Sequence, residues 1–126
     1  MLGNTTLIFL GAGVGGVLRY WVSTLTYSIV GKQFPYGTLL VNVTGCLLMG
    51  LLFVLTMERF DGFGPQLRSL LLIGLLGGYT TFSSFTIETV NLIENGQWAY
   101  ASANILLSAL CCIAATWIGV IGARLL

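Results

Sequence analysis

Apolar residues in this chain neither alternate nor recur on a narrow stripe. They run on in four long stretches separated by three short polar breaks. The stretches extend roughly from Asn4 to Val30, Tyr36 to Met57, Gln66 to Ile93 and Trp98 to Leu125. Each is long enough for the about 20 residues that carry a helix across a bilayer. The breaks carry helix-ending chemistry. Gly31 to Pro35 holds Lys32, and a proline there suits the start of the next helix. Glu58 to Pro65 reads as a polar loop with Asp61-Gly62 as its turn signal. Asn95-Gly96 favours left-handed backbone and closes the third stretch. Trp21, Tyr36 and Trp98 fall near helix ends, where amphipathic rings favour the membrane interface. The pattern predicts an all-α integral membrane protein with four transmembrane helices, residues 1–126 forming one domain.

Composition strengthens this reading. Hydrophobic residues make up 56% of the chain and charged residues 7%, and the mean hydropathy is +0.95. Soluble domains carry roughly 25% charge, so this surface is built for lipid. Four spans use about 80 residues, which leaves only short loops. The first stretch has no basic region before it and no small-residue cleavage site after it, so it reads as a retained helix. The three cysteines, Cys46, Cys111 and Cys112, lie inside apolar runs and read as small packing residues. There is no histidine, and no Cys/His spacing implies a zinc or redox site. A net charge of +1 with no basic stripe argues against nucleic-acid binding.

The few charges are nearly balanced across the membrane. Arg59, Arg68 and Arg124 belong to one side and Lys32 to the other. Arg19 lies about 20 Å along the first helix, nearer the Lys32 side. Three basic residues against two give the positive-inside rule little to act on. Insertion in both orientations and insertion in one both remain open on this count. Gly11 and Gly15, Ala12 and Gly16, and Gly74 and Gly78 have the spacing that lets helices approach closely in lipid. Four helices make a bundle too thin to enclose a wide solute path. Oligomerisation, most simply a symmetric dimer, is the expected remedy.

Several motifs bear on chemistry. Gly11, Gly13 and Gly16 spell G-x-G-x-x-G, but a dinucleotide site needs an acid about 20 residues on. The first acid here is Glu58. Asn4 and Asn42 open N-x-T sequons, and Asn42 lies at membrane depth, where glycosylation does not reach. The informative stretch is Gly74 to Phe85 in the third helix. Gly77-Gly78 and the β-branched pair Thr80-Thr81 weaken a helix. Backbone that leaves the helix at this depth must be buried or line a cavity, and its freed carbonyls can hold a cation. Phe82 and Phe85 share a face, and their positive ring edges can meet an anion. Ser83 and Ser84 add hydroxyl donors. Asn42 places two N–H donors in the second span. Tyr100, Asn104, Ser108, Cys112 and Thr116 recur every four residues on the fourth helix, a slanting polar row.

With these residues in view, the whole chain resembles the Fluc (CrcB) fluoride channel family. The resemblance is carried by Gly15-Gly16-Val17-Leu18-Arg19-Tyr20, by Tyr36 to Gly45 around Asn42, and by Gly77 to Phe85 with Glu88-Thr89. It implies an antiparallel, dual-topology homodimer with a broken third helix, two pores, and a structural sodium ion at the dimer interface. It implies that Asn42 binds fluoride and that Phe82 and Phe85 line the pore. Thr81, Ser83, Ser84, Tyr100, Ser108 and Thr116 would complete that lining. Backbone carbonyls of Gly77 and Thr80 would hold the sodium. Arg19 would draw anions into a vestibule or, equally, snorkel as a membrane anchor.

The implied activity is passive fluoride export across a bacterial inner membrane, with lipid and a second copy of the chain as partners and no enzymatic step. An inside-negative potential favours anion exit by about 2.3 kcal/mol per 100 mV. The alternative is a small multidrug-type dual-topology transporter, whose first helix carries an acid; here that helix has none. A purely structural assembly subunit is a third possibility, and it leaves the polar row unexplained.

Overall fold

The computed structural model describes residues 1–59 and 64–126. Among these, four helical spans are long and apolar enough to cross a membrane: Leu2–Val30, Tyr36–Arg59, Gly64–Glu94 and Trp98–Leu125. The first is α1, Leu2–Val30. The second is α2, Tyr36–Val54, continued by a π-helical turn, Leu55–Arg59. The third is composite. It comprises α3 (Gly64–Leu67), a π-helical segment (Arg68–Leu76), α4 (Gly77–Tyr79) and α5 (Phe82–Glu94). The fourth is α6, Trp98–Leu125.

The helix ends follow local chemistry. Gly31 closes α1 with φ 87°, its N–H donating to the Tyr27 carbonyl at 3.0 Å. Gly96 closes α5 with φ 72°, and Gln97 N–H reaches back to the Leu92 carbonyl at 2.8 Å. Both turns need the left-handed region that glycine enters freely. Pro35 caps α2, its carbonyl accepting from Leu39 N–H at 3.0 Å. The polar loop expected over Glu58 to Pro65 is shorter than the sequence suggests. Glu58 and Arg59 continue the second span, and Gly64 already begins the third. The Asp61-Gly62 turn lies outside the described residues.

Two seams of small residues hold the bundle. Between α1 and the first half of the third span, a Cβ added at Gly11 would strike the Leu70 carbonyl. One added at Gly15 would strike the Leu75 carbonyl, and Gly78 sits equally close to Ala12. Between α2 and α6, Gly50 lies against the Thr116 carbonyl and Gly119 against the Leu47 carbonyl. Such contacts are backbone on backbone, the packing that replaces hydrophobic burial where the solvent is itself apolar. The largest fully buried side chains are few, namely Leu76, Val41, Val54 and Asn104. Most large apolar side chains face outward, as lipid requires.

The third span departs from helix where the sequence is weak, though not at the glycines. Gly77 and Gly78 are helical. The extended residues are Thr80 (φ −78°, ψ 156°) and Thr81 (φ −150°, ψ 114°). β-branched side chains tolerate extended backbone well. Gly45 on α2 leaves room for the Thr80 methyl group; a Cβ there would collide with it.

Candidate functional site

The interruption at Thr80 and Thr81 is held by one amide. Asn42 Nδ2 donates to the Thr81 carbonyl at 2.9 Å, and Asn42 Oδ1 accepts from Thr81 N–H at 2.8 Å. A continuous α-helix would direct that N–H to the carbonyl four residues back, Gly77. Asn42 takes it instead, which leaves the Gly77 carbonyl without that partner. Thr81 Oγ1 then caps α5 by accepting from Ser84 N–H at 3.1 Å, the usual way to satisfy an orphan donor of the first turn. Thr80 still turns back, its N–H and Oγ1 both donating to the Leu76 carbonyl at 2.9 Å. Asn42 has two N–H groups, and one remains after the Thr81 contact.

Around this point the structure opens a row of cavities. One of about 500 Å³ is lined by Asn42, Thr80, Thr81, Phe82, Phe85 and Ser108, among others, and no charged side chain among the described residues lines it. The Phe82 and Phe85 rings sit 5.3 Å apart at 42°, and Phe82 is 76% exposed, so a single chain leaves this wall open on one side. A second cavity, about 280 Å³, lies on the other side of Thr81 and is lined by Arg19, Ser23, Tyr27, Thr38, Ser84 and Glu88. A third, about 530 Å³, shares Tyr27 and Glu88 with it and reaches Lys32, Gln33, Asn95 and Gln97 at one end of the bundle. A fourth, about 700 Å³, shares Cys46, Cys112 and Ile113 with the first and runs past Thr116 to Arg124 at the other end. Shared lining residues thus set these cavities side by side, with Thr81 lining both the first and the second.

Most residues singled out from the sequence fall on this row, in different roles. Asn42, Thr80, Thr81, Phe82, Phe85 and Ser108 meet in one cavity. Ser84 and Arg19 line the next. Ser83 is exposed, its Oγ 3.3 Å from Thr81 Oγ1. Thr116 lies in the cavity toward Arg124 and donates to the Cys46 carbonyl at 3.2 Å. Tyr100 stands apart, near the start of α6, its ring edge against Phe34 at 5.9 Å. Asn104 belongs to the same four-residue row, yet it is 1% exposed and donates to Thr89 Oγ1 at 2.9 Å. It ties α6 to α5 and lines none of these cavities.

Sequence reasoning missed one cluster. Glu88 Oε1 accepts from Thr38 Oγ1 at 2.8 Å and from Tyr27 OH at 3.0 Å. Its Oε2 is buried with no partner among the described residues. Three helices meet at this carboxyl group. Tyr27 is unremarkable in sequence. The available signal was Gly37, which removes a side chain where the Tyr27 ring lies over the start of α2. The cysteines also depart from expectation: Cys46 and Cys112 are cavity walls and not only packing.

Residues 6–120 match the family described as CrcB-like protein, Camphor Resistance (CrcB). The chain is similar to a fluoride-specific ion channel FluC of Coxiella burnetii (strain CbuK_Q154), at 61% identity over 96% of this chain and 98% of that protein. It is 46% identical to the fluoride-specific ion channel FluC of Geotalea daltonii, over 94% of this chain and 97% of the relative. The protein of that name from Methylococcus capsulatus is 45% identical over 93% of this chain, which spans 51% of that relative.

Proposed function

The chain belongs to the CrcB family, and from that premise we infer that it is a fluoride-selective passive channel, a multi-pass membrane protein and not an enzyme. The observation that carries the reading is the cavity in which Asn42, Thr81, Phe82, Phe85 and Ser108 converge with no charged side chain among the described residues. Fluoride is small and strongly hydrated. A pore must replace its water with closely spaced donors, and the spare Asn42 N–H, hydroxyls and ring edges are such donors. Conduction also requires that binding not become a trap. A lysine or arginine at the narrow centre would oppose release. Arg19 instead lines the neighbouring cavity, where its charge attracts anions without sitting in the central one.

The same reading includes a second, inverted copy of the chain. The open wall at Phe82 and the nearly balanced basic residues support an antiparallel dimer with dual topology. A cysteine placed at the N-terminus of a cysteine-free variant is expected to label from both faces of intact vesicles. Labelling from one face alone rejects dual topology.

It further includes a structural sodium ion. The end of α4 fits a hard cation, because the Thr81 N–H diverted to Asn42 leaves the Gly77 carbonyl without its usual helical partner, and Thr80 is extended. Helix C-termini also carry partial negative charge. The Gly77 and Thr80 carbonyls would hold the ion, which would supply a fixed positive charge and join the two copies.

The multidrug-type alternative is not favoured: α1 has no acidic residue to couple a cation. The deciding experiment is anion efflux from liposomes holding only this protein. Fluoride efflux without chloride efflux is expected; equal efflux of both, or neither, rejects the reading.

A further inference from the structure

Cys46, Cys112 and Ile113 are the residues shared by the cavity around Asn42 and the one leading to Arg124. Two of the three are thiols, one from α2 and one from α6, and both line the same two cavities. Their spacing is set by the tight seam just beyond. Gly50 and Gly119 bring the two backbones into contact, and Thr116 Oγ1 donates to the Cys46 carbonyl itself. Cys111, next in the chain, lines neither cavity.

We propose that Cys46 and Cys112 form a two-thiolate site for a soft, two-coordinate d¹⁰ cation of the mercuric type, seated at the junction of these cavities. Thiolate sulfur selects soft cations over the hard ones that prefer oxygen. Among the described residues no third histidine, cysteine or carboxylate joins the pair, so the tetrahedral set that zinc needs is missing. A linear ion needs only two ligands. Charge supports the same class. A divalent ion with two thiolates is neutral, so the low-dielectric interior holds no uncompensated charge. The step is an exchange without redox: two S–H bonds break, two S–metal bonds form, and two protons pass to water in the cavity. Binding therefore strengthens as pH rises.

The metal site stands on the two thiols alone; its effect on transport rests on the proposed pore. Both are read on the full-length Cys111→Ser variant, whose remaining cysteines are Cys46 and Cys112, with mercuric ion as the probe. One ion per chain is expected to remove the reactivity of both thiols toward a colorimetric thiol reagent. Changing either remaining cysteine to serine is expected to weaken binding by about 100-fold or more, the loss of an intramolecular second contact. Alanine at the same positions repeats the measurement should serine impair folding. Two ions per chain, thiols that do not react, or single variants that bind as tightly overturn the site. In liposomes the bound ion is expected to stop fluoride efflux, an excess dithiol to restore it, and a variant with serine at all three positions to be insensitive. One-to-one binding with undiminished efflux leaves the metal site standing and removes this junction from the ion path.

Discussion

The two halves of the third span are built on opposite principles. The first half, from Gly64 to Tyr79, is located by shape. Its glycines and those of α1 press backbone on backbone, and its side-chain hydrogen bonds to the second span are few, Tyr79 OH with Thr44 Oγ1 at 2.9 Å and Arg68 to the Thr56 carbonyl at 3.5 Å. The second half, Phe82–Glu94, is located by hydrogen bonds. Thr81 at its cap is clamped by Asn42, Glu88 receives Tyr27 and Thr38, and Thr89 receives Asn104. The first half is therefore governed mainly by volume, and the second mainly by donors and acceptors. In lipid both devices are available because neither relies on expelling water. Only the second leaves polar groups beside a cavity, and the candidate ion path lies on that side.

The sharpest way to break the comparison is to add volume on α1 where it packs against the first half. Gly15→Val drives a side chain onto the Leu75 carbonyl, with Tyr79 N–H only 2.8 Å from its Cβ. Folded protein is expected to be lost, read as the absence of a monodisperse peak in detergent. Gly13→Val, two residues away where nothing lies within 4 Å, is expected to fold normally. If both fold, the seam is not a volume constraint.

A smaller effect is expected from the clamp. Asn42→Asp keeps an acceptor for Thr81 N–H but sets a carboxylate or its acid against the Thr81 carbonyl. An ionised carboxylate has no donor and repels an anion. Losing one partner of a buried hydrogen bond costs about 1–3 kcal/mol, and initial fluoride efflux is expected to fall by about 100-fold at the upper end of that range. Efflux within threefold of the parent removes Asn42 from the site.

The aromatic pair comes next. Phe82→Ile and Phe85→Ile keep an apolar side chain and remove the ring quadrupole. Volume-conserving swaps cost under about 1.5 kcal/mol, so the melting temperature is expected to move little while efflux slows about fivefold, matching the roughly 1 kcal/mol scale of ring-edge contacts. Efflux that declines only in step with stability marks the rings as packing.

The mildest test concerns the carboxyl cluster. Thr38→Val removes one of the two donors to Glu88 Oε1 and is expected to cost about 1 kcal/mol, measured by denaturation in micelles. Thr38→Ser restores the hydroxyl and is expected to recover most of it. Equal stability of the valine and serine variants separates Glu88 from the packing of α1, α2 and α5.

What the sequence determined by itself follows from composition and local period. Long apolar stretches have one solution in lipid, because every backbone group must be satisfied within its own segment. The four spans and the turns at Gly31 and Gly96 were therefore legible. So were Gly11, Gly15, Gly74 and Gly78, since four-residue spacing puts small residues on one face whatever the partner is. Gly50 and Gly119 carry the same kind of spacing, with Cys46 four positions before Gly50 and Ala115 and Ala123 four either side of Gly119, but spacing alone does not say that these two faces meet each other. Asn42 stood out as a polar side chain in an apolar run, but its partner, the Thr81 backbone, lies 39 positions on. Tyr27, Thr38 and Glu88 gave no joint signal for the same reason: the carboxyl group lies 61 positions from one donor and 50 from the other. The row on α6 shows the limit most clearly. Its spacing placed Asn104, Ser108 and Thr116 on one drifting stripe, yet Asn104 turned to Thr89 while Ser108 and Thr116 line cavities. Periodicity fixes which side of a helix a residue occupies. Only the packing of neighbouring helices decides whether that side meets a donor, a backbone or an open space.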